Sequence, residues 1–264
     1  MTTTMRTTAP RPVPTGSQRA PMTSLRKTAL VAGIFYLITF ISIPTLALYG
    51  PVKNHRDWIL TSGSNTGVLV GAFLEVIVAL AGIGTAVTLY PVVKRQNEGV
   101  SLGFVASRVI EAAMIFTGVL SLLSLVTLRH DLGGAAGANA AALVTTGASH
   151  VAIYNGTMLL GQTLMPCINA LLLGYLMYRS RLVPRILPVL GLIGAPLLIA
   201  AVFAALFGGD IGHVSAFRAI ATFPVAAWEL SLGVWLVVKG FRPSPITAEM
   251  EAASSPLAYR DAPA

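Results

Sequence analysis

Three acids and an arginine occupy positions in this chain where hydrocarbon is expected. Ser107-Arg108-Val109-Ile110-Glu111 lies near the start of a long apolar run and places opposite charges three residues apart. Glu75 and Glu229 lie inside two other apolar runs. A charge at the centre of a membrane helix costs about 2.5–3.5 kcal/mol on insertion scales, so such groups face the bundle interior or water, or they pair. At i, i+3 Arg108 and Glu111 share a helix face and can form an ion pair. Chemically, the pair could relay protons or cations, or Arg108 could hold an anion. Structurally, each makes the burial of the other tolerable. Arg108 is close enough to the inner end of its run for its head to snorkel to the interface. Ser107, Met114, Gly118 and Ser121 share its face and suit packing or a cavity lining.

Glu229 runs in the opposite direction, about ten residues before the inner end of the last apolar run, at a depth close to Glu111. A cluster of Arg108, Glu111 and Glu229 is therefore geometrically accessible. Two acids sharing one arginine carry an excess negative charge, which one proton neutralises. Glu75 has no obvious cationic partner. Gly67, Gly71 and Gly82 flank it on roughly one face, a mark of close helix contact. Asn155, Gln162 and Asn169 are spaced by seven, nearly two turns with a drift of about 20° per heptad, and are expected on one face. That stripe would line a polar path or make interhelical hydrogen bonds worth about 0.6 kcal/mol each. Pro166 in the same run frees a carbonyl and predicts a kink.

Other chemistry is poorly supported. His55, His130, His150 and His213 all fall at the outer edge, with acids near three of them, and their spacings match no metal motif. They read as solvated loop residues, and no metal or cofactor is expected. There is no phosphate-binding glycine loop, nucleophile elbow or His-Glu-x-x-His, so no catalytic residue is assigned and an enzymatic role is the weakest class.

The elements that must position these residues follow from composition. The chain is 55% hydrophobic and 11% charged, with a mean hydropathy of +0.75. A soluble domain carries about 25% charged residues, so lipid is the natural solvent here. Six apolar runs are long enough to span a bilayer: about 28–49, 67–91, 103–128, 152–178, 186–207 and 217–238. Lipid offers the backbone no partners, so each must be helical. The predicted fold is all-α, a six-span bundle forming one membrane domain over 28–242. Residues 1–27 read as a disordered basic tail and 243–264 as a disordered C-terminal tail. A signal peptide is the rival reading of the N-terminus, but its polar stretch is long for an n-region.

Basic residues set the orientation. Arg6, Arg11, Arg19, Arg26 and Lys27, then Lys94 and Arg95, then Arg179, Arg181 and Arg185, then Lys239, Arg242 and Arg260 fall on one side. The opposite side has Lys53, Arg56 and Arg129, with Arg218 at an edge. Both termini are expected in the cytoplasm of a multi-pass cell-membrane protein. The net charge of +8 belongs to this asymmetry and not to nucleic-acid binding. The loops 50–66 and 129–151 are then outside, with a short surface helix expected over Ala138 to Thr146. The lone Cys167 allows no intrachain disulfide.

Several stretches together resemble a known family. Leu171 to Leu187 carries a span end, a basic turn and a proline, and Trp228 to Gly240 forms a last span. Ala32 to Leu37, Leu89 to Pro91, and Arg108 to Glu111 match earlier spans. The chain is similar over about 26–242 to the bacterial membrane family catalogued as domain of unknown function 4386. The resemblance implies a six-span bundle in which Arg108, Glu111 and Glu229 belong to the family pattern, and it supplies no reaction. The stretch Asn155 to Gln162 departs from that pattern. The buried carboxylates favour a small proton-coupled transporter or permease-like protein acting on a small molecule or ion. The alternative is a non-enzymatic sensor or accessory subunit that binds a protein partner.

Overall fold

The computed structural model describes residues 22–132, 139–209 and 215–253. Among them are no strands and six helices long and apolar enough to cross a membrane: Ser24–Ser42, Thr66–Val93, Glu98–Leu132, Ala140–Ser180, Ile186–Gly208 and Ala216–Val238. Their surface requires lipid. On α4 (Thr66–Val93), Phe73, Leu80 and Val87 recur every seven residues and are 64%, 57% and 58% exposed. The opposite face of α4 buries Ala72, Glu75, Ala79, Gly82 and Ala86. Only a hydrocarbon solvent makes so apolar an outer stripe tolerable. The even number of crossings brings both ends of the described chain to one side, called here the terminal face. The opposite side is the loop face.

The first span is shorter and more broken than its composition predicts. Thr23 caps α1 (Ser24–Thr39) by accepting a hydrogen bond from the Arg26 amide at 3.3 Å. The helix then tightens into a 3-10 turn at Phe40–Ser42 and restarts as two short helices, α2 (Thr45–Leu48) and α3 (Gly50–Asn54). Three hydroxyls drive this change. Thr39, Ser42 and Thr45 each donate to a carbonyl three residues back, at 2.6, 3.0 and 2.5 Å, which competes with the helical ladder. Pro44 then removes an amide donor.

The third and fourth spans are longer than expected. α5 (Glu98–Leu132) runs past its apolar stretch. The Gly/Ala-rich segment expected as an outer loop is helical from Ala140, within α6 (Ala140–Thr157), and not a separate surface helix. Gly147 sits inside this helix, where an added Cβ would lie 3.4 Å from Leu125 and 3.6 Å from Ile59. Residues 133–138 lie outside the described part. After α6 the chain widens into a π-helix at Met158–Leu164 and continues as α7 (Met165–Ser180). The kink predicted at Pro166 thus takes the form of π turns. Proline cannot donate to the carbonyl of Gln162, four residues back, and the widened turns end just before it.

α8 (Ile186–Gly208) and α9 (Ala216–Val238) complete the bundle. The part of the C-terminal stretch read as a disordered tail also needs correction. Pro245–Ala253 forms a helix, α10, with Ile246 and Thr247 buried. Ser244 and Thr247 bond each other's backbone amides at 2.8 and 3.3 Å, a reciprocal cap, and Pro245 occupies the first turn. At the other end, the helix starting at Ser24 already includes residues assigned to the basic tail. Residues 1–21 and 254–264 are not described.

Close contacts between glycines hold the first and last spans together. A Cβ on Gly33 would lie 2.8 Å from the Gly233 carbonyl oxygen and 2.9 Å from the Val237 amide nitrogen. Both are backbone atoms, so the helices themselves would have to separate. Gly33→Val should therefore cost about 1–3 kcal/mol, the usual overpacking penalty, read as a lower melting temperature in detergent. Unchanged melting would show that α1 and α9 slide freely past each other.

Candidate functional site

Arg108, Glu111 and Glu229 meet in the bundle interior. On α5, Arg108 Nη1 donates to Glu111 Oε2 at 3.0 Å, the i, i+3 pair read from the sequence. Its Nη2 donates to Glu229 Oε1 on α9 at 2.7 Å. Asn169 of α7 donates to the same Glu111 oxygen at 2.7 Å. The Arg108 side chain does not snorkel. It is 2% exposed, with its guanidinium 5.3 Å from the Tyr36 ring centre and 5.8 Å from that of Phe104. Gly82 on α4 faces it, and a Cβ there would sit in ordinary contact with Arg108 at 4.0 Å. Arg108 Nε and Asn169 Oδ1 are buried without a hydrogen-bond partner among the described residues.

The two acids are less enclosed than the arginine. The Glu111 and Glu229 side chains are 11% and 14% exposed, against 2% for Arg108. They open onto a cavity of about 320 Å³, also lined by Ser42, Gln162, Pro166 and Thr222. Two irregular stretches border it: the 3-10 turn after α1 and the π turns that lead into Pro166. α5 and α9 do not pack along their length. The Arg108–Glu229 bridge joins them across the cavity.

Glu75 forms a second centre, separate from the first. It is fully buried and accepts three hydrogen bonds, all from neutral donors. Tyr154 Oη and Gln162 Nε2 each reach Oε1 at 2.9 Å, and Tyr49 Oη reaches Oε2 at 3.3 Å. The Tyr49 and Tyr154 rings meet edge to face at 5.2 Å. Gly71 makes this possible, because a Cβ there would lie 2.5 Å from the Tyr49 ring. Burial, reinforced by the Glu75 carboxylate, pushes the Tyr49 phenol well above the usual tyrosine range, so it stays a donor.

The polar stripe of the fourth span is divided between three surroundings. Gln162 faces Glu75 and the central cavity, and Asn169 faces Glu111. Asn155 lines a different cavity of about 200 Å³ at the loop face, with Lys53, His55, Arg56 and Trp58. The π turns between Asn155 and Asn169 change the angular step, so heptad spacing does not keep all three on one face. The face of Ser107, Met114, Gly118 and Ser121 packs on this span. Ser107 approaches Met165, Met114 meets Gly161, Gly118 meets Thr157, and Ser121 donates to the His150 carbonyl.

Tyr49, Tyr154, Tyr36 and Lys53 carry the site and have no periodic signal in the sequence. Lys53 Nζ stands 5.3 Å from the Tyr154 ring centre. Burial pushes the Lys53 ammonium below the ordinary lysine range. Among the described residues no three His, Cys, Asp or Glu side chains gather as a metal set. His130 pairs with Asp131 at the surface, and His213 lies outside the described residues.

The family model described as Domain of unknown function (DUF4386) matches residues 31–240. No curated protein and no solved structure matches the chain.

Proposed function

The chain belongs to the DUF4386 family, and we propose that it is a small proton-coupled transporter of the cell membrane, with the central cavity as its substrate site. The observation that carries this reading is the cavity itself. Two carboxylates open onto it, two irregular backbone stretches border it, and one ion pair bridges it between helices that pack little otherwise. Irregular backbone inside a membrane domain is tolerated where it lines a cavity, and intramembrane acids mark ion and proton paths. A volume of about 320 Å³ is at the small end of ligand sites, so the substrate is an ion or a compact solute. The excess of basic residues at the terminal face supports reading that face as cytoplasmic.

The proton itself is the probe for this reading. Liposomes containing the full chain and the pH dye pyranine are given an acid-outside gradient. Wild-type protein should collapse the gradient, and Glu111→Gln should slow this by about a hundredfold, the scale of a lost proton-transfer group. Equal rates in the two would remove the relay. One observation favours a second reading, in which the triad is a clamp inside a sensor or accessory subunit. Arg108 is 2% exposed and already bound to both acids. That reading predicts no gradient collapse by either protein.

A further inference from the structure

Glu75 plays no part in the cavity cluster, yet its surroundings are built with care. Buried acids are ordinarily matched by a cation or lose their charge to a proton. Here all three hydrogen-bond partners, Tyr49, Tyr154 and Gln162, are neutral. Among the described residues, Lys53, from α3, is a charged group whose field reaches Glu75. Arg218 from α9 acts in turn on Lys53. Lys53 also lines the loop-face cavity, beside His55 and Arg56. On the other side, Gln162 touches Glu75 and lines the central cavity with Glu111 and Glu229. One line of contacts therefore runs from the loop-face cavity through Lys53, Tyr154, Glu75 and Gln162 to the central cavity.

We propose that Glu75 is a second proton-binding site, filled from the loop-face cavity, and that Gln162 is the partition between it and the central cavity. One proton leaves a hydronium ion in the loop-face cavity, which becomes neutral water, and forms an O–H bond on the Glu75 carboxylate, whose negative charge it discharges. No other group changes charge. Gln162 suits the role of partition because it stands in π turns, a geometry that can relax to α by shifting one residue. Its own backbone carbonyl is the one that Pro166 cannot bond. The role of Gln162 rests on reading the central cavity as a proton-transfer site. The role of Glu75 does not.

The two halves have separate tests. For Glu75, the wild-type chain in liposomes is treated with dicyclohexylcarbodiimide, an apolar reagent that captures protonated carboxyls, and labelled peptides are read by mass spectrometry. Labelling at Glu75 should rise as external pH falls. Infrared difference spectra on an external acid step should show a protonated-carboxyl band that Glu75→Gln removes and Glu111→Gln keeps. No Glu75 labelling at any pH, or a protonated-carboxyl signal that Glu75→Gln leaves undiminished, overturns the site, whatever the flux measurements on Glu111 give. For Gln162, Gln162→Leu should retain the Glu75 band while pyranine-reported flux falls roughly tenfold or more. Wild-type flux in Gln162→Leu overturns the partition.

Discussion

Arg108→Met is expected to cost about 3–5 kcal/mol of stability, the penalty for breaking a buried ion pair by removing one partner. The substitution keeps an apolar stem of similar reach but removes the guanidinium that lies over the Phe104 and Tyr36 rings. It removes the only charge-assisted bonds that Glu111 and Glu229 receive among the described residues. Two carboxylates then face one cavity with no cation between them. Asn169 supplies a single neutral donor to Glu111, and such contacts contribute roughly 0.6 kcal/mol in membranes. The bridge between α5 and α9 is lost too, and these helices have little other contact. A dodecyl sulfate unfolding titration reads the effect as an earlier midpoint. The complementary variant Arg108→Met/Glu111→Leu/Glu229→Leu should recover most of the loss, because replacing all members of a buried ionic set by apolar groups is often neutral or stabilising. A single variant as stable as wild type would show that the triad does not hold the helices together.

The sequence makes the spans and the triad legible for physical reasons that do not extend to the second centre. Arg108 and Glu111 are three residues apart on one helix, so local geometry brings them together, and the antiparallel course of the last span sets Glu229 at their depth. Length and hydropathy find the six spans because hydrocarbon thickness admits few alternatives. The donors to Glu75 are different. Tyr49 lies between two short helices and Tyr154 lies in a helix that composition reads as starting later. Their convergence depends on a break in the first span and an extension of the fourth. Both depend on local detail, a ladder of back-bonded hydroxyls in one and a helix that begins well before the apolar run in the other, and a hydropathy window averages over each. The π turns defeat the seven-residue spacing of Asn155, Gln162 and Asn169 because they put more residues in each turn and so reduce the angular step per residue. Pro166 was the available signal of that change. Ser244-Pro245-Ile246-Thr247 likewise carries a helix start inside a stretch whose prolines and acids read as tail.

The acid pair should separate stability from function. Glu111→Gln leaves Arg108 paired with Glu229, and Glu229→Gln leaves it paired with Glu111, so each single variant keeps one ion pair and removes the excess negative charge. In either, the new side-chain carbonyl can still accept from the arginine. Each should unfold within about 1 kcal/mol of wild type, since no buried charge is orphaned. The double variant leaves Arg108, 2% exposed, with no carboxylate. It should lose about 3–5 kcal/mol, so the two substitutions couple well beyond the additivity expected of independent sites. Flux should follow a different pattern. If a proton is taken up where two acids share one arginine, either single variant removes the shared excess charge, and both should stop the pyranine response while remaining folded. A clamp with no transport role gives the same stability pattern but no flux to lose. Additive stabilities, or full flux in both singles, would mean that the acids act independently and that the cavity is not where a proton is held.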